Sequence, residues 1–451
     1  MRKGLLIGVA AIVLAALLGA PPVLGWATEQ EFERIRERAR SEIPFVQAWS
    51  VTEYEGGYLG ADARSEIIVG DPSGESRTTI VLDHRFDYAP GTGGSLVQSV
   101  TTPRIDSGPL RQIVERLFGA DRTPLTLRFD VDLTGKREIT VQSPAVDGAR
   151  DLPLARVQWQ GLNAQLEVGR SEEWLAYEAS MPGARVQPRV GEVSELRLES
   201  LTASGRYEAS RFEGVWTGGA SGQIGHILAK SPQAGDLELV DFAFSDNAKL
   251  EGDLFGFDVT TSAKQFSAPA YELNKVEMQL MGERIAPALM RAMQAGAERM
   301  GAQGDAASAS GGSAWNAMRD VPWGEIAANE PEIRLERFAA QTPDGAVQIS
   351  ARVGLRAPDN EQQKIGPRDL TRFAHGQVNA SAPEPVVIDA LARSIALRGD
   401  NDPGAARSSA RSTIQQLTAQ GMLTVEDGQI RSSASYDQGM IRINGQSLFG
   451  G

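Results

Sequence analysis

A chain of 451 residues with 41% apolar and 23% charged residues is large enough to bury its own cores and is not disordered by composition, so folding needs no metal or disulfide staple. A net charge of -13, with no clustering of Lys and Arg, excludes nucleic acid as the expected partner, because phosphate neutralisation requires a basic face. The absence of cysteine excludes thiol catalysis, disulfides, cysteine-ligated zinc and a lipoprotein cysteine.

Arg2 and Lys3 precede an uncharged run from Gly4 to Ala27, and Glu29, Glu31 and Glu33 follow it. About 20 apolar residues in a helix span the hydrocarbon core. The charge asymmetry places the N-terminus in the cytoplasm and the remaining chain across the membrane. Residues 1–27 are therefore expected to form an uncleaved signal anchor. The competing reading is a cleaved signal peptide, since Gly25 and Ala27 are small residues at a spacing a peptidase accepts. Residues 28–44 are expected to form a membrane-proximal amphipathic helix, capped by Thr28 and closed by Pro44, with Phe32, Ile35, Ala39 and Ile43 at helical spacing.

Residues 45–300 read as a β-rich region ending in a helix. Trp49, Val51 and Tyr54 enter a turn at Gly56-Gly57, and Ile67-Ile68-Val69 follow. Leu125, Leu127, Phe129, Val131 and Leu133 alternate with polar residues, the period-two pattern of a half-buried antiparallel strand, and Thr134-Gly135-Lys136 turns the chain into its partner. Further strands are predicted over 78–83, 96–102, 163–168, 195–201, 250–261 and 271–281. Ser107, Pro109, Leu110, Ile113, Val114 and Leu117 give the pattern of one intervening helix. A second helix is predicted from Glu283, with Ile285, Leu289, Met293 and Met300 as its stripe.

Residues 301–313 are small and polar and are expected to be a linker. Residues 314–451 read as a C-terminal α+β region. It opens with a hairpin through Pro343-Asp344-Gly345 and has a strand near 377–381, then helices over 385–397 and about 407–420. Two short strands close it, joined by Asp437-Gln438-Gly439 and ended by Asn444-Gly445.

The N-terminal apolar segment, the charged helix, "YEGGYLGADARSEI", "VLDHRFDYAPG" and "YDQGMIRINGQSL" together resemble the YdgA-like family of bacterial envelope proteins, a family of unknown function. The matching residues are Tyr54, Gly57 and Leu59 in a first Tyr-x-x-Gly turn, and Tyr436, Gly439, Ile441, Ile443, Asn444 and Gly445 in the closing hairpin. Members carry His-Gly-Pro where this sequence has His84-Arg85-Phe86, which argues against a special role for His84. The resemblance implies an inner-membrane anchor with a periplasmic body, and it implies no activity or catalytic residues.

Chemistry-bearing motifs are sparse. His84, His226 and His375 are far apart in the sequence and lack the paired short spacing of metal ligands, which favours structural histidines. Asp130 and Asp132 share a strand face and could pair for acid–base work or hold a cation, but a solvated strand face explains them better. Ser221 and Ser313 sit among glycines without forming Gly-x-Ser-x-Gly. Trp315 and Trp323 fit core or interface positions better than a surface patch.

The expected fold is therefore α+β, predominantly an antiparallel β meander forming a long curved sheet with packed helices, preceded by one N-terminal transmembrane helix. The expected function is non-catalytic: a membrane-anchored envelope protein holding lipid or another amphiphile in an apolar β-groove, the alternative being an envelope scaffold acting through protein–protein contacts. No cofactor, metal or nucleic acid is expected. The membrane is the first partner, with lipid and a second copy of the chain as further candidates. Whether the apolar strand faces form an open groove or a closed core is the question that separates the two readings.

Overall fold

The computed structural model describes residues 46–56, 60–69, 78–87, 95–107, 109–119, 122–132, 134–212, 214–269, 271–290, 322–358, 366, 369–397 and 402–448. The anchor expected over 1–27, the helix over 28–44 and the linker over 301–313 lie outside them. The described chain is mostly antiparallel sheet with few helices and divides into two compact units. One contains residues up to 207 together with 222–236, and the other contains 208–221 and residues from 237 onward.

In the first unit, β1 (Val46–Gly56), β2 (Gly60–Val69), β3 (Thr78–Asp87), β4 (Ser95–Ser107), β5 (Thr126–Asp132) and β6 (Arg137–Ser143) pair each with the next, all antiparallel. Beyond them β7 (Ala149–Asp151) pairs with β8 (Ala155–Trp159), and β9 (Leu162–Val168) pairs with β6. The long strand β10 (Trp174–Pro188) pairs with β9 through its first half and with β8 through its second. One face carries the core. Ala61 faces Phe86, Ile67 faces Ile80, and Phe129 faces Ile139, every one of them buried. Each large apolar side chain so buried contributes roughly 1.5–3 kcal/mol. Leu127, Phe129 and Val131 of the alternation read over 125–133 are thus the inward row of β5, and Leu133 lies outside the described residues.

Strand β3 runs to Asp87 rather than ending at Asp83, because His84 continues the inward row of Ile80, Leu82 and Phe86. A polar residue at an inward position breaks the apolar alternation in the sequence without breaking the strand. Strand β10 and β12 (Trp216–Lys230) fall in the region read as β-rich but were not among the strands placed individually. Pro182 and Gly183 in the one, and Gly218, Gly219, Gly222 and Gly225 in the other, argue locally against strands. At Gly219 the reason for glycine is space: an added Cβ would stand 2.4 Å from the Asp246 carbonyl oxygen. Strand β11 (Glu195–Ala209) and β12 carry residues of both units.

In the second unit, β13 (Leu237–Glu251), β14 (Leu254–Ala268), β15 (Tyr271–Ile285), β16 (Glu332–Thr342), β17 (Gly345–Leu355) and β18 (Ala374–Pro383) pair consecutively and antiparallel. Strand β20 (Gln429–Asp437) pairs with β18, takes the short β19 (Thr424–Glu426) as a hairpin partner, and continues into β21 (Met440–Ile443) and β22 (Gln446–Ser447). Strands β15 and β16 thus pair although they lie on either side of the 301–313 segment. The single strand expected over 250–261 is corrected to two, since Gly252 and Asp253 turn β13 into β14. The helix expected from Glu283 starts later. Residues 283–285 complete β15, Ile285 is buried at its end, and helical structure begins at 287.

Helix Pro109–Phe118 fits its expected pattern and touches β4. Helix Trp323–Ala328 and the single turn Leu370–Phe373 flank β16 and β18 in sequence. Helices Glu384–Leu397 and Pro403–Ala419 pack as a pair, with Ile388 and Ala392 against Ala406, Ala410, Ile414 and Ile430. The second begins four residues before the expected start, because the Asp402 carboxylate accepts from the Gly404 amide at 2.9 Å and Pro403 occupies the first turn. Among the described residues, no helix is long and apolar enough to cross a membrane.

Candidate functional site

The residues singled out at the C-terminus form one structural device. Gln438 and Gly439 have φ of 48° and 85°, and Asn444 and Gly445 have 47° and 82°, the paired left-handed conformations of type I′ hairpin turns. Tyr436 faces Ile441 across the first turn, and its hydroxyl donates to the Thr371 carbonyl at 2.7 Å, tying β20 to the Leu370–Phe373 turn. Asn444 closes the second. Its Oδ1 accepts from the Ser433 amide at 2.8 Å, and its Nδ2 donates to the Gly421 carbonyl at 3.0 Å, just after helix Pro403–Ala419. These residues shape the backbone and present no reactive group. Tyr54 faces Ala63 near the end of β1 and is 42% exposed, while Gly57 and Leu59 lie outside the described residues.

The three histidines stay apart in their roles. His84 is 2% exposed, with Nε2 2.8 Å from Ser65 Oγ and Nδ1 2.9 Å from Thr101 Oγ1. Burial pushes its pKa down to about 4, against the weaker opposing field of Asp83, so the ring is neutral at pH 7. Serine beside histidine is the arrangement that activates a nucleophile, yet Ser65 is 0% exposed and no substrate reaches it. Sequence reasoning missed this cluster, because its three members lie on three strands and only the register of β2, β3 and β4 brings them together. His226 stands 3.8 Å from a Glu199 carboxylate oxygen and His375 3.9 Å from one of Glu332. Among the described residues no group of three metal-ligating side chains converges.

Asp130 and Asp132 are committed locally. Asp130 accepts from Gln98 Nε2 at 2.7 Å and from Arg128 Nε at 2.8 Å. Asp132 accepts from the Thr134 hydroxyl at 2.6 Å and from the Thr134 and Lys136 amides, organising the β5–β6 turn. The Thr134 hydroxyl, aided by these amides, holds its carboxyl below the usual range. Ser221 is exposed on β12, and Ser313 and Trp315 lie outside the described residues. Trp323 is buried beside Ile326 and Ala286, a core residue.

Chemically the most distinctive feature is the sheet of the second unit, whose register sorts its side chains into two unlike faces. Residues opposite one another on neighbouring strands share a face. One row reads Val259, Leu280, Leu335, Ala351, Val378 and Ala434 across six strands. The next reads Thr261, Met278, Phe338, Ile349, Ala380 and Ser432. On one side of these rows, Phe257, Ile333, Leu289 and Met290 pack against the buried cluster of Phe255 and Ile285. On the other, Ile430 packs against the pair of helices. Between the two packed ends the face is half-buried, and Val353 and Val378 are 54% and 44% exposed. At about 4.8 Å per strand, β14 to β20 extend about 24 Å across this face, more than the roughly 15 Å depth of one leaflet's hydrocarbon.

The opposite face is polar. Gln348 faces Ser381, Ser381 faces Arg431, and Asn379 faces Ser433. The Asn379 side-chain Oδ1 accepts from Ser433 Oγ at 2.9 Å and from Gln377 Nε2 at 3.3 Å. Gln348, Asn379, Ser381 and Ser433 line an open concavity of about 560 Å³ together with Phe338, Ile349 and Ala380, and it is rimmed by Glu336 and Arg337 at the irregularity between Leu335 and Phe338 of β16.

The described chain is a β-rich body whose C-terminal motif residues are turn and clamp residues and whose second unit carries an amphipathic sheet. The chain belongs to a family described as bacterial protein of unknown function (DUF945), whose family model matches residues 1–448. No curated protein and no solved structure matches it.

Proposed function

We propose that this is a non-catalytic, membrane-anchored envelope protein that holds lipid acyl chains, or another amphiphile of the same kind, against the apolar face of β14 to β20. The observation that carries the reading is the uncovered middle of that face, where Val353 and Val378 stay exposed between two packed ends. Continuous apolar surface left open to water is costly unless something covers it. The uncharged run from Gly4 to Ala27 supports a lipid as the occupant, because an anchor there keeps the body beside a bilayer. The N-terminus is then cytoplasmic and the body periplasmic, the layout implied by the likeness to YdgA-like proteins. The contact between Ser65 and His84 supports no hydrolase-type chemistry, since it is sealed in a core.

The test uses the full chain in its own membrane with a phospholipid bearing a diazirine on one acyl chain. Photo-adducts mapped to Val353 and Val378, and lost from the Val378→Asp protein, are the expected result. Adducts confined to residues 4–27 overturn the reading and leave the scaffold alternative, in which the same face docks another protein.

A further inference from the structure

We infer that the concavity on the polar face of β16, β17, β18 and β20 binds the hydroxyl groups of a carbohydrate. Its volume of about 560 Å³ falls within the roughly 300–1,000 Å³ of small-molecule sites, and its lining combines Phe338, Ile349 and Ala380 with Gln348, Asn379 and Ser381. Lining chemistry therefore selects the ligand class. The two guanidiniums at its rim are already matched by carboxylates: Arg337 lies 3.4 Å from Glu277, and Arg431 lies 3.1 Å from Glu426. Glu336 is likewise held 3.2 Å from Arg334. Paired in this way, the rim does not favour a phosphate or a carboxylate over a neutral ligand.

The polar part of the lining that remains is a set of neutral amides and hydroxyls. Asn379 and Ser433 are joined to each other, whereas the Gln348 amide and the Ser381 hydroxyl make no hydrogen bond to a described protein group. An amide offers a donor pair and an acceptor side by side, and a hydroxyl offers both roles. Adjacent sugar hydroxyls, themselves donors and acceptors, are complementary to such a set; an acyl chain is not. Strand geometry fixes the spacing, since residues facing across neighbouring strands stand about 4.5–5.5 Å apart at Cβ. Its polar side chains belong to the rows opposite the face proposed for amphiphiles, while Phe338, Ile349 and Ala380 of the apolar rows also contribute to its lining.

Saturation-transfer NMR on the full chain tests the inference, with maltose and N,N′-diacetylchitobiose as probes and inorganic phosphate as competitor. Transfer to ring protons of either disaccharide is expected, falling to background in Gln348→Ala and Asn379→Ala and unchanged in Val378→Asp. Gln348 is exposed and uncommitted, so its loss leaves the fold intact and keeps the experiment decisive if Asn379→Ala unfolds. A response to N,N′-diacetylchitobiose alone assigns the site to amino-sugar glycans, and a response to both assigns it to neutral glycans generally. No transfer from either disaccharide, transfer that survives Gln348→Ala, or displacement of the sugars by phosphate overturns the inference.

Discussion

Asn444 and Ser433 are locked by a reciprocal pair of hydrogen bonds: the Asn444 amide donates to the Ser433 carbonyl at 2.7 Å, and the Ser433 amide donates to the Asn444 side-chain oxygen at 2.8 Å. The same side chain reaches Gly421, so one residue joins the closing hairpin to the end of a helix. It does so from a left-handed backbone conformation that asparagine tolerates better than most residues. Replacing it separates the two contributions. Asn444→Gly keeps the conformation and loses the hydrogen bonds, costing about 1–3 kcal/mol. Asn444→Ala adds a backbone penalty of about 1–2 kcal/mol. Denaturant unfolding of both variants should rank alanine below glycine, and equal losses would show that the conformation contributes nothing.

Two glycines should respond differently to a methyl group. At Gly439, φ is 85° and nothing stands within 4 Å of an added Cβ, so Gly439→Ala pays only the conformational cost of about 1–2 kcal/mol. At Gly60 the added Cβ would lie 2.4 Å from the Phe86 carbonyl oxygen, and the β2–β3 ladder must part to admit it. Gly60→Ala is expected to lower the unfolding midpoint more than Gly439→Ala. The reverse order would contradict the close approach of these two strands.

Acid should destabilise the fold through His84. The folded pKa is about 4, below the usual histidine value of about 6.5, so the unfolded chain binds the proton more readily. Stability from this residue is complete above pH 6.5 and is lost as the pH falls from 6.5 to 4, by about 3 kcal/mol in all. His84→Gln, which retains one donor and one acceptor, should flatten that part of the stability–pH curve. An unchanged slope in the variant would mean that the ring is not buried neutral.

Asp132 should behave as a turn residue and not as an acid or base. Asp132→Ala removes three accepted hydrogen bonds at the β5–β6 turn and is expected to cost about 1–3 kcal/mol, while Asp132→Asn, which retains an acceptor oxygen, should cost less. Thermal unfolding of the pair checks this order.

Much of the strand framework was legible because the period of two survives wherever one face is buried and the other is wet. Residues 126–132 and the hairpin through Pro343 and Asp344 show it, as does the Asn444-Gly445 turn, whose residue types are those the backbone requires. The failures have physical causes too. His84 hid an inward position behind a polar side chain, and Gly252-Asp253 hid a turn inside one apolar run. Pro182 and the glycines of β12 interrupt the alternation that would have marked those strands.

By itself the sequence determined the local quantities: which segments alternate, where turns demand glycine or asparagine, and which chemistries lack their residues. Only the tertiary structure decided which alternating residues share a face, because that depends on register, and register is set by pairing between strands far apart in the chain. Ser65, His84 and Thr101 meet by register, and so do Gln348, Ser381 and Arg431. Whether Val378 is covered depends in turn on where the helices of the second unit pack.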